Sequence, residues 1–259
     1  MGVSDPTVKT TPAVDETGEG SSRILQTRGL TKHFGGLTAT DEVDFALEEG
    51  ELRCLIGPNG AGKSTFLNLL TGQLEASAGS IYYDGREITG TSPHERVDRG
   101  ITMKFQVPSI YDEFTVAQNL RIPLQQVVDG DEYGSRTREI LERFDLLAER
   151  ETTASDLSHG QQQRLEIGMA MAMEPKLMLL DEPVAGLSVE ETADVAELLE
   201  EIVADDGVAL IVIEHDIDFV ESIADRVTVL DQGSIFREGS IEEIRADPEV
   251  KRIYLGDDH

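Results

Sequence analysis

The sequence has no tryptophan, a single cysteine (Cys54), and aromatic residues at only 5% of its 259 positions. One thiol, set in the apolar run "ELRCLI", excludes a disulfide scaffold and points to a buried side chain in a reducing compartment. Long hydrophobic runs are also missing, since none approaches the ~20 residues that a membrane-spanning helix requires. The opening "MGVSDPTVKTTPAVDETGEGSS" lacks the basic and apolar regions of a signal peptide. Residues 1–22 are therefore expected to be a disordered acidic tail ahead of one domain spanning 23–259. Together these absences predict a cytoplasmic protein.

Basic residues are scarce too. Lys plus Arg number 22, only six of them lysine, against 51 Asp plus Glu, giving a net charge of −29. Such a surface repels phosphate backbones and excludes nucleic acid as a partner. The acids are spread along the chain, as in "VEETADVAELLEEIVADDG" and "GSIEEIRADPEV", and not gathered in one tail. We read the excess as adaptation to a salty cytoplasm, where screening quenches self-repulsion.

What is present is an α/β pattern. Hydrophobic residues make up 39% of the chain, enough for a sizeable core. The runs "ELRCLI", "LMLLDEP" and "VALIVIEHD" are near-continuously apolar, as in parallel strands covered on both faces, and each is followed by a helical pattern. "SIYYDGREI" and "RVTVLDQGSIFREGS" carry Asp-Gly and Gln-Gly turns and read as hairpins. From about 107 to 165 the strand signal gives way to helical spacing such as "RTREILERFDLLAER", which predicts an inserted helical subdomain.

"GPNGAGKST" matches the G-x-x-x-x-G-K-[ST] pattern, with an apolar strand before it and a helix after. Its residues are Gly57, Pro58, Asn59, Gly60, Ala61, Gly62, Lys63, Ser64 and Thr65. Backbone N–H groups in such a loop close around phosphate oxygens at the positive end of the helix. Lys63 is expected to reach the β- and γ-phosphates, and Ser64 to give its hydroxyl to Mg²⁺. "LMLLDEP" delivers Asp181 and Glu182 to the end of a buried strand. There Asp181 would hold Mg²⁺ through water and Glu182 would polarise the attacking water as general base.

Other candidates are weaker by themselves. His215 ends a strand of the same type, which moves it toward the γ-phosphate, although a lone histidine is usually structural. Phe34 in "HFGG" either stacks on adenine or belongs to the core. Gln106 in "KFQVP" stands where the core gives way to the helical region, a natural place for a Mg²⁺-sensing hinge. In "LSHGQ", Ser158 and Gln161 form a capping box, and a hydroxyl-capped, glycine-containing helix N-terminus is also an anion site. Such a site is hard to aim at the chain's own nucleotide, but could meet one held by a second copy.

Taken in this order and at these separations, phosphate loop, Gln106, LSHGQ, LMLLDEP and EHD resemble the nucleotide-binding domain of ABC transporters. The resemblance implies an α/β P-loop ATPase core with an N-terminal antiparallel β subdomain and an inserted helical subdomain. It implies ATP and Mg²⁺ as ligands and a head-to-tail dimer. Each ATP would lie between the phosphate loop of one subunit and Ser158, His159, Gly160 and Gln161 of the other. Two features depart from the family pattern: His159 replaces a usual glycine, and "AGLS" ends in Ser188 where the family has an aspartate. "KFQVPS", "LSHGQ" and "DEPVAGL" are similar to importers of urea and short-chain amides, with importers of branched-chain amino acids as the alternative. Expected partners are transmembrane permeases and, indirectly, a substrate-binding protein, with the chain on the inner face of the membrane. A soluble assembly ATPase of the iron–sulfur scaffold type is a further alternative, but there "DEIDSGLD" typically stands in place of "DEPVAGLS". A chromosome- or ribosome-associated member is opposed by the lack of coiled coils and basic patches.

The charge reading has a direct test. The Debye length is about 3 Å at 1 M salt and about 10 Å at 0.1 M. Circular dichroism melts across a KCl series are expected to show the compact state only toward molar salt. A melting temperature independent of KCl would remove the halophilic reading.

Overall fold

The structure, a computed structural model, describes residues 23–104 and 110–255, the side chains of Lys104, Tyr254 and Leu255 excepted. In chain order it forms β1 (Arg23–Phe34), β2 (Leu37–Glu48), β3 (Leu52–Ile56), α1 (Lys63–Leu70), β4 (Ala78–Tyr83), β5 (Arg86–Glu87), α2 (Pro93–Val97) and β6 (Ile101–Lys104). Next come α3 (Val116–Leu124), α4 (Tyr133–Arg143), a 3-10 turn (Ala154–Asp156), α5 (His159–Met171), β7 (Leu177–Asp181) and α6 (Val189–Asp206). The last elements are β8 (Ala209–Ile213), α7 (Ile217–Ile223), β9 (Arg226–Asp231), β10 (Ser234–Gly239), α8 (Ile241–Ala246) and α9 (Pro248–Leu255). The expected tail at 1–22 lies outside the described residues.

Strands β3, β7 and β8 are buried along their whole length, which is why their sequences carry no polar alternation. Their side chains instead alternate between two cores. Cys54, Met178, Leu180, Leu210 and Val212 pack toward a core that includes residues of α3 to α8. Leu55, Leu177, Leu179, Ile211 and Ile213 pack with α1 and the antiparallel sheet. Each fully buried aliphatic side chain contributes roughly 1.5–3 kcal/mol relative to an exposed one. The six-stranded sheet runs β10-β9-β3-β8-β7-β6, parallel except for the β9–β10 hairpin.

The second sheet is antiparallel, in the order β2-β1-β4-β5. Both expected hairpins form. Asp84 (φ 47°) with Gly85 (φ 69°) and Gln232 (φ 47°) with Gly233 (φ 86°) supply the paired positive φ of tight two-residue turns. Between 110 and 158 the described residues hold α3, α4, the 3-10 turn and one isolated bridge, Thr115 to Thr153. Ile140 and Leu141 bury the apolar face of α4, and the helix stops before Asp145, whose φ is 51°.

Two buried arginines tie the layers together. Arg53 lies between the sheets, paired with Glu51 at 2.6 Å and Glu238 at 2.7 Å, its guanidinium over the Phe45 ring. Arg96, 1% exposed, donates to the carbonyls of Leu69 (2.6 Å), Leu70 (2.7 Å), Ile88 (2.8 Å) and Thr89 (3.1 Å). It thereby supplies donors to carbonyls at the C-terminal end of α1 and holds that helix against the segment just after β5. Burial pushes its guanidinium pKa down, yet these acceptors all favour the charged form. Arg96→Met would strip the guanidinium donors from these four buried carbonyls, of which Leu69 and Ile88 keep backbone donors from Gly72 (3.2 Å) and Thr91 (3.0 Å). Urea unfolding should then show a loss of about 3–5 kcal/mol, against less than 1 for an exposed arginine such as Arg138.

Candidate nucleotide-binding site

The phosphate loop begins where β3 ends. Gly62, the residue before α1, has a φ of 102°, and no side chain caps the helix. The N–H groups of the first helical turn have no intrahelical acceptor, and with the helix dipole behind them they form an anion-binding end. A Cβ on Gly62 would stand 2.4 Å from the Ala39 carbonyl oxygen of β2, so only glycine fits. The loop is also tethered to the β9–β10 turn. Gly233 N–H donates to the Ala61 carbonyl (2.9 Å), and Asp41 N–H donates to the Gly233 carbonyl (2.8 Å).

Lys63 is 7% exposed, and its Nζ donates to the carbonyls of Gly57 (2.6 Å) and Pro58 (3.1 Å). Burial lowers its pKa from 10.5, while the carboxylates of Glu182 and Asp181 act to raise it. A bound polyphosphate would add to the raising side.

Asp181 closes β7 opposite Ile213 of β8, and Glu182 N–H donates to the Ile213 carbonyl (2.9 Å). Glu182 takes a φ of 50°, a conformation that costs a non-glycine residue about 1–3 kcal/mol. Its Oε1 lies 3.1 Å from Nε2 of His215. The histidine and the carboxylate from neighbouring strand ends are thus within hydrogen-bond reach.

Sequence reasoning passed over Glu214. This residue is 4% exposed and accepts from the N–H groups of Val184 (3.1 Å) and His215 (3.0 Å). Desolvation raises its pKa, and the backbone donors oppose the rise. Its function here is to pin the segment after Glu182 to the segment that carries His215. An acid directly after five buried residues of a strand was the available signal.

One cleft of about 400 Å³ gathers Phe34, the loop from Asn59 to Thr65, Asp181, Glu182 and His215. Phe34 is 45% exposed at its rim, so it is not a core residue. Gly57 and Pro58 stand behind the loop as acceptors for Lys63. Ser158, His159, Gly160 and Gln161 do not line this cleft. They begin α5, where Ser158 and Gln161 form the expected capping box, with Gln161 N–H on Ser158 Oγ (3.2 Å) and Ser158 N–H on Gln161 Oε1 (2.9 Å). Gln106 lies outside the described residues. The described residues contain no cluster of three or more His, Cys, Asp or Glu side chains able to hold a metal alone. A divalent cation here would take Ser64 and Asp181 together with phosphate oxygens and water, which suits Mg²⁺.

Comparison with known proteins finds relatives along nearly the whole chain. A family model described as "ABC transporter" matches residues 40–185. The chain is 36% identical over 256 residues to the high-affinity branched-chain amino acid transport ATP-binding protein BraF of Pseudomonas aeruginosa, covering 92% of this chain and 99% of that one. Among solved structures, an ABC transporter cassette in its ADP conformation matches with a TM-score of 0.84 and 33% identity, over 91% of this chain and 99% of that one. A dimeric cassette in a post-hydrolysis state, bound to ADP and Pi, matches with a TM-score of 0.75 and 28% identity, over 84% and 98%.

The loop geometry predicts two unequal glycine substitutions. Gly62→Ala should shift the loop off Ala39 and weaken binding of a fluorescent ATP analogue by more than tenfold. Gly60→Ala has open space at its Cβ but a φ of 80°. It should cost only about 1–2 kcal/mol of backbone strain. Equal affinities for the two variants would count against a loop held by β2.

Proposed function

Because this chain belongs to the ABC transporter family, as an ATP-binding cassette whose ATPase activity is coupled to transport, we propose that it powers import of branched-chain amino acids through separate permeases. The observation that carries the substrate class is the end-to-end likeness to BraF. This reading departs from the urea and short-chain amide assignment that the motifs favoured, since the relatives back its alternative. Urea or an amide stays as the second reading on the strength of KFQ and LSHGQ together.

In this reading the backbone N–H groups at the start of α1 hold the phosphates, with Lys63 on the β- and γ-oxygens. Phe34 gives a face for the adenine. Ser64 and Asp181 would hold Mg²⁺, which when bound neutralises phosphate charge. Gln106 would sense it from the edge of the helical region. Glu182 takes a proton from the attacking water, and His215, 3.1 Å away, orients that carboxylate and faces the γ-phosphate. The strained φ of Glu182 supports such a role, because strain of this kind clusters at reacting centres.

The pentad supports a composite site. Ser158 to Gln161 lie away from their own cleft, so they would grip the nucleotide of a second cassette, with ABC cassettes known as dimers. An apolar surface supports the permease partner. Tyr111 and Phe114 stack 5.3 Å apart while 51% and 42% exposed. Beside them is a groove of about 280 Å³ lined by Met103, Ile122, Met169 and Met173. Exposed aromatic and methionine patches mark protein contacts. No helix among the described residues is long and apolar enough to cross a membrane, and attachment to permeases at the inner face of the membrane follows in this reading.

Two measurements test the proposal. Disrupting the gene should abolish high-affinity leucine uptake and spare urea uptake, and the reverse result would install the amide reading. Glu182→Gln should keep ATP binding and lower hydrolysis by about 10²–10⁴, the usual loss of a general base. Near-normal turnover would move the base to another residue.

A further inference from the structure

The N-terminus of α5 is engaged within its own subunit by a residue that sequence reasoning missed. Glu191, in the first turn of α6, uses both carboxylate oxygens. Its Oε2 accepts from the N–H and the hydroxyl of Ser188, each at 3.0 Å, and its Oε1 accepts from Gly160 N–H at 3.2 Å. A Cβ at position 160 would lie 2.7 Å from Glu191 Oε1 and 2.9 Å from its Cγ, so Gly160 is what lets the carboxylate in. The neighbouring His159 ring packs over Gly186, where a Cβ would meet its Cε1 at 3.1 Å. Ser158 N–H and Gln161 N–H are already paired within the capping box. The segment from Ala185 to Glu190 around this contact is largely exposed, and Val189 is 91% so.

We propose that Glu191 is an internal anion gate: it occupies Gly160 N–H in the free subunit and must yield that donor to the γ-phosphate of the partner's ATP. The inference rests on the composite-site reading above and deepens it. A phosphate and a carboxylate compete for the same kind of site, an N–H at the positive end of a helix. Ser188 N–H and Oγ–H hold Glu191 in place, and these donors, with Gly160 N–H, lower its pKa, so it stays charged. The departing carboxylate also faces the incoming phosphate as a like charge. Dimerisation therefore waits until enough nucleotide is bound to displace it. Ser188, where the family carries an aspartate, is the residue that anchors the gate.

Glu191→Gln separates charge from structure. Glutamine serves equally well at this position of a capping box, as Gln161 and Gln118 do in this fold. It turns a charge-assisted bond to Gly160 into a neutral one of about half the strength and removes the repulsion. Sedimentation of wild type and Glu191→Gln should be followed across a titration of a non-hydrolysable ATP analogue with Mg²⁺. The variant is expected to dimerise at on the order of tenfold less nucleotide. Its monomer affinity for the same analogue and its melting temperature should stay unchanged. A purely structural role would weaken dimerisation, so an equal or higher nucleotide requirement overturns the gate. Ser158→Arg in the same series tests the underlying reading. If it dimerises like wild type, the composite site falls and the gate with it. If Ser158→Arg fails to dimerise while Glu191→Gln matches wild type, only the gate falls.

Discussion

The cleft depends on the hydrogen-bond register of three parallel strands. Leu55 of β3 pairs with Ile213 of β8, and Ile213 pairs with Asp181 of β7. The phosphate loop, the Asp181–Glu182 pair and His215 therefore leave the sheet at one level, where open α/β sheets bind ligands. Because strand side chains alternate, a slip of one residue would send Asp181 and Glu182 to opposite faces from those they occupy. What forbids the slip is burial on both sides: every apolar residue of β7 and β8 packs in one of the two cores, and shifting one exchanges all of them. The same burial pushes the Cys54 thiol far up, so it stays protonated and serves only as a small apolar filler.

The strain and charge at the cleft are balanced by neighbouring backbone. Glu182 holds its positive φ because its N–H is bonded to Ile213 and the following turn is bonded to Glu214. The phosphate loop is braced from two sides, by β2 at Gly62 and by the β9–β10 turn at Ala61. Both braces belong to antiparallel elements, so the second sheet and the edge hairpin position a loop that begins on a parallel strand. Buried cations act in the same way. In a chain of net charge −29, Arg53 and Arg96 face inward and join layers, while most acids face water.

The parallel strands β3, β7 and β8, both hairpins and the phosphate loop were legible because each follows one local rule, whereas the short parallel edge strand β6 carries too little pattern to read. The long strands β1 and β2 were not read individually. Their pairing shifts register at four places along β1, and Gly29 and Glu42 take positive φ there. Every such bulge resets the alternation of inward and outward side chains, so no period of two survives in "RILQTRGLTKHF". The missed acids have a different cause. Glu214 and Glu191 act through backbone N–H groups supplied by distant segments, and a sequence states the acceptor without stating which donors will come. Part of the second case was readable. Ser188 followed by Glu191 obeys the capping rule applied to Ser158 and Gln161, but it was seen only as a departure from a family pattern.

That departure is where the two halves of the proposed mechanism meet within one subunit. From Glu182 the chain makes two successive turns, Ala185 N–H to the Glu182 carbonyl and Leu187 N–H to the Val184 carbonyl, and arrives at Ser188. Ser188 begins α6 and binds Glu191, and Glu191 binds Gly160. Between the carboxylate proposed to face a subunit's own nucleotide and the helix end proposed to face its partner's, there is thus one short, hydrogen-bonded segment. A displacement of Glu191 would be felt at Ser188 and along the turns toward Glu182, through bonds of 3.0–3.2 Å. A serine suits that position better than a second acid would. Its hydroxyl both accepts from and donates to Glu191, whereas an aspartate side chain there would offer only acceptors to that carboxylate and would repel it.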